Sequence, residues 1–306
     1  MTSERAWKRP GKPLIPERPQ VFFHASSASR LISRLPKRVG ILEQLISAAG
    51  QGVDERRRQV PLEELEKGLD NRDRDRPFRE ALTRPGMSLI CEFKRRSPSA
   101  GDIAPGTDLA TQVQAYEQGG AAALSVLTDQ THFGGDLADL AQARASCGLP
   151  ILRKDFIVDR YQLVEAATGG ADAVLLIVAV LDDKRLRDFQ AEAWDLDLDC
   201  VVEVHNEEEL EHALKVDAEV IGINNRNLDT GVVDVATTYE LITDVPAGKT
   251  VVSESGISRR DELVELERVG VDAALIGESL MLSDDPTAKV SELAGTDDAT
   301  SEHFLP

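Results

Sequence analysis

The chain has 306 residues, 42% of them hydrophobic, which is enough for a sizeable core, and its formal net charge is −19. That balance excludes the basic footprint a nucleic-acid binder needs, and no apolar run approaches the roughly 20 residues of a membrane span. Acid-rich composition, few aromatics and 10 lysines against 25 arginines point to a protein kept soluble in concentrated salt, where distant charges are screened; the alternative is an ordinary acidic cytoplasmic enzyme.

Residues 1–36 hold Pro10, Pro13, Pro16, Pro19 and Pro36 without sustained periodicity, and a flexible extension is expected there. The first twenty residues are basic but lack an apolar centre, so they do not read as a secretory signal. Ile41, Leu42, Leu45 and Ile46 form an apolar stripe at helical spacing, and a second, charged helix is expected over 61–69. The triplet Arg56, Arg57 and Arg58 is expected to be a solvated helix face. Residues 71–79 alternate in charge and are expected to be a solvated linker.

From 89 to 281, short apolar runs alternate with amphipathic stretches such as 181–194 and 207–214. The runs are 89–93, 123–127, 150–153, 173–178, 200–204, 220–224, 250–253 and 273–277. Strand alternating with helix implies parallel strands joined by crossovers, and eight non-alternating strands match a (β/α)8 barrel. A weak repeat supports this: Gly-Ala-Ala-Ala at 120–123, Gly-Ala-Asp-Ala at 170–173, Val-Asp-Ala at 216–218 and Gly-Val-Asp-Ala at 270–273 lead into every second run. An open doubly wound sheet would want a glycine-rich turn after its first strand, where this chain has Lys-Arg-Arg-Ser-Pro at 94–98. The expected architecture is one α/β TIM barrel over 37–290, with leading helices at 41–70 as an N-terminal helical extension and a loose tail over 291–306. Three separated cysteines, Cys91, Cys147 and Cys200, read as reduced core residues of a cytoplasmic protein.

Barrel active sites lie at the C-terminal ends of the strands. Those ends carry Glu92 and Lys94, then Lys154, Glu203, Asn224, Arg226, Glu254 and Ser255. Glu92 and Lys94 are two apart and share a face, as do Lys154 and Phe156, and Glu203 and His205. The ionisable groups cluster on odd strands, which contribute side chains to one layer. Two lysines facing several carboxylates make an acid–base site whose pKa values burial would pull toward the working range. Ser255-Gly256 and Gly277-Glu278-Ser279 offer small residues and backbone N–H groups to an anion, with the Glu278 side chain expected to point away. The five histidines are scattered and no Cys-x-x-Cys exists, so no metal site is expected; His205 is expected to be a supporting or loop residue.

Eight ordered motifs carry a family resemblance. They are Ile-Cys-Glu-Phe-Lys-Arg-Arg-Ser-Pro-Ser (90–99), Ser-Val-Leu-Thr-Asp (125–129) with Phe-Gly-Gly (133–135), Leu-Arg-Lys-Asp-Phe-Ile (152–157), Ala-Val-Leu-Leu-Ile-Val (173–178), Val-Glu-Val-His-Asn (202–206), Ile-Gly-Ile-Asn-Asn-Arg-Asn-Leu (221–228), Ser-Glu-Ser-Gly-Ile (253–257) and Leu-Ile-Gly-Glu-Ser-Leu-Met (275–281). Over about residues 41–285 the chain resembles the indole-3-glycerol-phosphate synthases. The resemblance implies a cofactor-free carboxy-lyase of tryptophan synthesis that converts 1-(2-carboxyphenylamino)-1-deoxyribulose 5-phosphate to indole-3-glycerol phosphate, carbon dioxide and water. It implies Lys154 as general acid for ring closure and Glu203 in the later dehydration. Lys94 would hold the anionic substrate, and which lysine expels hydroxide stays open. Glu92 would orient a lysine and Asn224 would sit near the anthranilate ring. Ser97, Arg226 and Glu254 would contact substrate, Phe133 and Phe156 would wall the aromatic pocket, and Ser255, Gly256, Gly277 and the Glu278 backbone would take the phosphate. The expected partner is this small-molecule sugar phosphate, with no nucleic acid and no membrane, for a monomer or weak homodimer.

Overall fold

The eight apolar runs form eight parallel strands that close on themselves: β1 Ser88–Phe93, β2 Ala123–Leu127, β3 Ile151–Lys154, β4 Ala173–Ile177, β5 Asp199–Val204, β6 Val220–Asn224, β7 Thr250–Glu254 and β8 Ala273–Ile276. Each pairs with the next, and β8 returns to β1 through Ser88↔Ala273 and Cys91↔Ile276. The computed structural model describes residues 40–72, 76–98 and 100–296. The expected flexible extension over 1–36 and the end of the tail, 297–306, lie outside them. Nearly every strand residue is buried, because the strands have side chains in the barrel on one face and under helices on the other. Non-alternating apolar sequence is the consequence. Cys91, Cys147 and Cys200 are buried and unbridged.

The helices are α1 Ile41–Gln59, α2 Leu62–Glu66, α3 Phe78–Leu82, α4 Leu109–Gly119, α5 Gln130–Phe133, α6 Ala138–Ser146, α7 Arg160–Gly169, α8 Asp183–Asp195, α9 Glu207–Lys215, α10 Ala236–Leu241, α11 Arg260–Arg268, α12 Glu278–Met281 and α13 Pro286–Ala294. Their starts are written in short polar caps. Asp108, Asp182 and Asn206 each accept an N–H from the first turn of α4, α8 and α9, which satisfies donors a helix otherwise leaves bare. Asp159 and Gln162 cap α7 reciprocally. Their stops explain the repeat. Gly120 and Gly170 take left-handed conformations, φ 98° and 93°, that glycine adopts without a Cβ clash. Before β6, Asp217 takes that role at φ 57°.

Three expectations change. Arg56 and Arg57 are not a solvated face: Arg56 makes a two-pronged pair with Glu165 (2.5 and 3.0 Å), and Arg57 pairs with Asp159 (2.5 Å) while lying 5.2 Å over the Tyr161 ring. Only Arg58 is exposed. The described residues of 71–79 are not a solvated linker either. Arg76 donates to the carbonyls of Arg144, Cys147 and Leu149, and Arg72 to those of Leu196 and Ala171. Phe78 and Leu82 behind them are fully buried. These contacts fall just before β3, β4 and β5, so the segment closes the barrel's N-terminal end. Strand-entry carbonyls there need donors, and arginine supplies several per side chain. Finally, α13 runs to Ala294 with Val290 and Leu293 buried, so residues 291–294 are packed helix rather than loose tail.

Candidate active site

The C-terminal ends of the odd strands deliver one charged cluster. Just past β1, Lys94 places its Nζ 2.6 Å from Glu92 Oε1 on that strand. Lys154, ending β3, reaches Glu203 Oε2 on β5 at 2.9 Å and Glu254 Oε2 on β7 at 2.6 Å. The carboxylate side chains are at most 6% exposed, and the two ammonium side chains 12–15%. Room for this layer comes from glycine on even strands. A Cβ on Gly222 of β6 would come within 2.6 Å of Glu254 Oε1 and 3.0 Å of Val201 Cγ1, and one on Gly277, following β8, would strike Glu92 and Lys94.

Burial sets the charges against one another. It works against the Lys154 ammonium, but Glu203, Glu254 and Glu92 outweigh it and hold the lysine pKa above its ordinary value. Burial likewise disfavours charge on Glu203, yet the adjacent Lys154 and His205 hold its carboxyl well below the usual range. Glu254 is pushed up to about 7 by burial and by the nearby Glu203 charge, against the pull of Lys154. Two buried carboxyls with pKa values driven apart around one ammonium can serve one as acid and the other as base.

Phe156 lies two residues past Lys154, and Asn224 ends β6 in register with Glu254 of β7. Phe133 and Phe156 have ring centroids 6.5 Å apart. Asn224 Oδ1 accepts from Ser255 Oγ (2.9 Å) and from the Arg226 N–H (3.0 Å), so what it has left for a ligand is its NH2 group. Ser255 and Gly256 follow β7 in left-handed conformations, φ 69° and 84°. A non-glycine residue held there costs of order 1 kcal/mol or more, and the Asn225 amide holds the Ser255 carbonyl at 3.0 Å. Gly277 opens the short α12, Glu278 is exposed, and the Ser279 hydroxyl is buried without a hydrogen-bond partner. Among the described residues, no group of three or more His, Cys, Asp or Glu side chains is arranged to hold a metal ion, and no helix is long and apolar enough to cross a membrane.

Two expected site residues are placed differently from the cluster. The Arg226 guanidinium donates to the carbonyl of Gly231 in its own loop (3.1 Å), where Arg226 also bridges Val233. Ser97 Oγ accepts the Ala100 N–H (3.1 Å) and so shapes the turn joining Arg96–Ser97 to its antiparallel partner Gly101–Asp102.

Sequence reasoning passed over the polar framework behind the cluster. Arg153, fully buried, donates to Thr128 Oγ1, the Gln162 carbonyl and Asp155 (3.1, 2.6 and 2.8 Å), with Glu165 at 3.3 Å. Asp155 also takes the Phe156 N–H at 2.8 Å. Arg95 forks onto Asp139 (2.6 and 2.9 Å), reaches the Gly134 carbonyl and lies 4.9 Å over Phe93. Arg153 and Asp155 flank Lys154, so the two-residue strand period already puts them on the opposite face. His205, expected to be a supporting or loop residue, has its contacts with Glu203 and Glu209.

A family model described as indole-3-glycerol phosphate synthase matches residues 42–293. Among curated relatives, an indole-3-glycerol phosphate synthase from a Nocardioides species is 43% identical over 85% of this chain and 100% of its own. One from Polaromonas naphthalenivorans is 42% identical over 83% and 98%. Indole-3-glycerol phosphate synthase 1 from Streptomyces coelicolor is 42% identical over 87% and 97%. Solved structures carry the fold: a thiamine phosphate pyrophosphorylase from Pyrococcus furiosus (TM-score 0.52, 17% identity, 70% of this chain and 96% of that one) and a tryptophan synthase a2b2 complex from the same hyperthermophile (0.53, 16%, 68% and 98%).

Proposed function

The chain belongs to the indole-3-glycerol phosphate synthase family, and we propose how the residues at its barrel mouth divide that family's reaction. It is a carbon–carbon lyase of tryptophan biosynthesis. Its substrate, 1-(2-carboxyphenylamino)-1-deoxyribulose 5-phosphate, loses carbon dioxide and water to give indole-3-glycerol phosphate.

Ring closure joins the carboxylate-bearing aromatic carbon to the ketone carbon, and the ketone oxygen gains negative charge as the bond forms. Lys154 stabilises that oxygen and gives it a proton. The bond to the carboxylate then breaks, carbon dioxide leaves, and the electron pair restores the aromatic ring. In the dehydration, Lys94 protonates the departing hydroxyl and Glu203 takes a proton from the methylene beside nitrogen. Glu203 lies 2.9 Å from Lys154, so the proton it gains returns to the lysine that gave one up. One proton is consumed overall, and the less buried Lys94, oriented by Glu92 at 2.6 Å, takes it from solvent.

Binding follows the same chemistry. Lys94 and Asn224 face the substrate's carboxylate and anthranilate ring, Phe133 and Phe156 pack against that ring, and Ser97 and Arg226 complete the wall from their loops. Glu254, pushed up to about 7, keeps Lys154 aimed while leaving Glu203 the stronger claim on the negative charge. Ser255, Gly256, Gly277 and the Glu278 backbone N–H take the phosphate, with the unpartnered Ser279 hydroxyl beside them. The protein works in the cytoplasm, a reading supported by its three unbridged, buried thiols, and it acts as a monomer or weak homodimer.

The observation that carries this reading is one ammonium, Lys154, held between two buried carboxylates at the barrel mouth. Lys154→Ala and Glu203→Gln each lower turnover of the carboxyphenylamino substrate by about 10²-fold or more, the usual scale of a general acid or base. Near-wild-type indole formation by both variants would contradict the assignment.

A further inference from the structure

Ring closure and dehydration leave a buried imidazole beside the cluster, that of His205, without a task. His205 follows β5, with its side chain 9% exposed. Its Nε2 lies 3.3 Å from Glu203 Oε1, an ion-pair contact off the hydrogen-bond axis. Its Nδ1 lies 2.9 Å from Glu209 Oε2 in the first turn of α9. A neutral imidazole has one N–H and one lone pair, so it would turn a lone pair toward one of these two carboxylates. Only the imidazolium keeps an N–H on Nδ1 for Glu209 and places a positive charge rather than a lone pair beside Glu203.

Glu209 is fixed by the helix it begins. Its Oε2 also accepts the His205 backbone N–H (2.8 Å), and its Oε1 accepts from Asn206 Nδ2 (2.9 Å). Its own N–H is capped by Asn206 Oδ1 (3.0 Å). The cap of α9 therefore doubles as a clamp on the ring. The charged groups facing His205 are Glu203 on β5 and Glu209 on α9, and Lys154 of β3 and Glu254 of β7 stand behind Glu203.

We propose that His205, held as a cation by Glu209, is a positioning residue that keeps Glu203 ionised and oriented as the base of the dehydration. Glu203 has Lys154 on one oxygen and His205 on the other. When Lys154 gives its proton to the ketone oxygen, one of those two positive charges is gone. His205 is the one that remains, and without it burial would drive Glu203 toward its neutral acid. The raised His205 pKa, about 10 with burial opposing and both carboxylates outweighing it, agrees with that charge state.

This inference rests on Glu203 being the base, and the test separates the two. His205→Asn moves the acidic limb of kcat upward by about 1 pH unit or more, the size of effect an opposite charge at this distance exerts, and leaves KM unchanged. Glu209→Gln keeps the ring but lowers the pH at which it titrates, read from the His205 ring protons by NMR. In the wild type those protons hold the imidazolium shift beyond pH 8. A folded His205→Asn with the wild-type acidic limb would overturn the proposal. So would a wild-type ring that titrates near the ordinary histidine value, whether or not His205→Asn folds. Glu203→Gln in the same assay shows which idea has failed: if it retains turnover, the base is misassigned; if it is inactive while His205→Asn is normal, only the positioning role falls.

Discussion

Three buried carboxyls and two ammonium groups crowd the barrel mouth, and they do not share charge equally. Desolvating an ion costs several kcal/mol, so a buried charge persists only where partners are close. Glu203 has two cations against it and stays ionised, whereas Glu254 shares Lys154 with Glu203 and has an oxygen, Oε1, without a hydrogen-bond partner. The folded protein therefore keeps a proton on Glu254 that the unfolded chain has already released. Between the ordinary carboxyl value of 4.5 and about 7, wild-type stability falls as pH rises, because the folded state binds more protons than the unfolded one. Glu254→Gln removes that slope. Thermal midpoints of the two proteins compared from pH 4.5 to 8 diverge in the variant's favour as pH rises; parallel curves would show that Glu254 is an ordinary carboxylate. At this scale the sequence revealed the charged residues themselves, because they end otherwise apolar strands. It did not reveal their pairing across strands 3, 5 and 7, or the clamp on His205, since those depend on barrel closure and on which way a cap carboxylate turns.

An inner layer of large charged side chains needs empty space opposite it, and that space is the work of individual strands. β6 supplies it with Gly222, against which Glu254 and Val201 pack. Gly222→Ala pushes a methyl group into Glu254 and displaces Lys154 in turn. Overpacking of this kind costs typically 1–3 kcal/mol, and misplacing a reacting group by about 1 Å costs on the order of 10²-fold. The variant thus loses on the order of 10²-fold in turnover together with a measurable drop in thermal midpoint; unchanged kcat would mean the layer has slack. Strand positions were legible along the whole barrel, because burial on two faces imposes unbroken apolar runs. The underside was not. Arg72 and Arg76 look like solvated residues in a charge-alternating stretch, and the carbonyls that recruit them become visible only once β3, β4 and β5 stand side by side. The same reasoning applies to Arg56, whose partner Glu165 is 109 residues away, and to α13, whose polar residues hid the buried pair Val290 and Leu293.

At the scale of the whole molecule, a formal charge of −19 surrounds a site that must attract a substrate bearing a carboxylate and a phosphate. Two of the ten lysines stand at the mouth, so local cations oppose a repulsive long-range field. Salt shortens the reach of that field to about 3 Å at 1 M and leaves the buried pairs largely intact. The thermal midpoint therefore rises from low to molar potassium chloride; equal midpoints would show that the acidic surface is not tuned to salt. The barrel and its reaction class were readable from ordered motifs over most of the chain, while the division of labour among Lys94, Lys154 and Glu203 was not, because side chains in one layer are equivalent until their distances are known. That division is tested most directly by identifying what each variant accumulates in a single turnover, quenched and weighed by mass spectrometry. Glu203→Gln is predicted to stall at a ring-closed species lighter than substrate by carbon dioxide alone, and Lys154→Ala to hold unreacted substrate. Both variants stalling at the same species, or Glu203→Gln passing straight to indole-3-glycerol phosphate, would contradict the account.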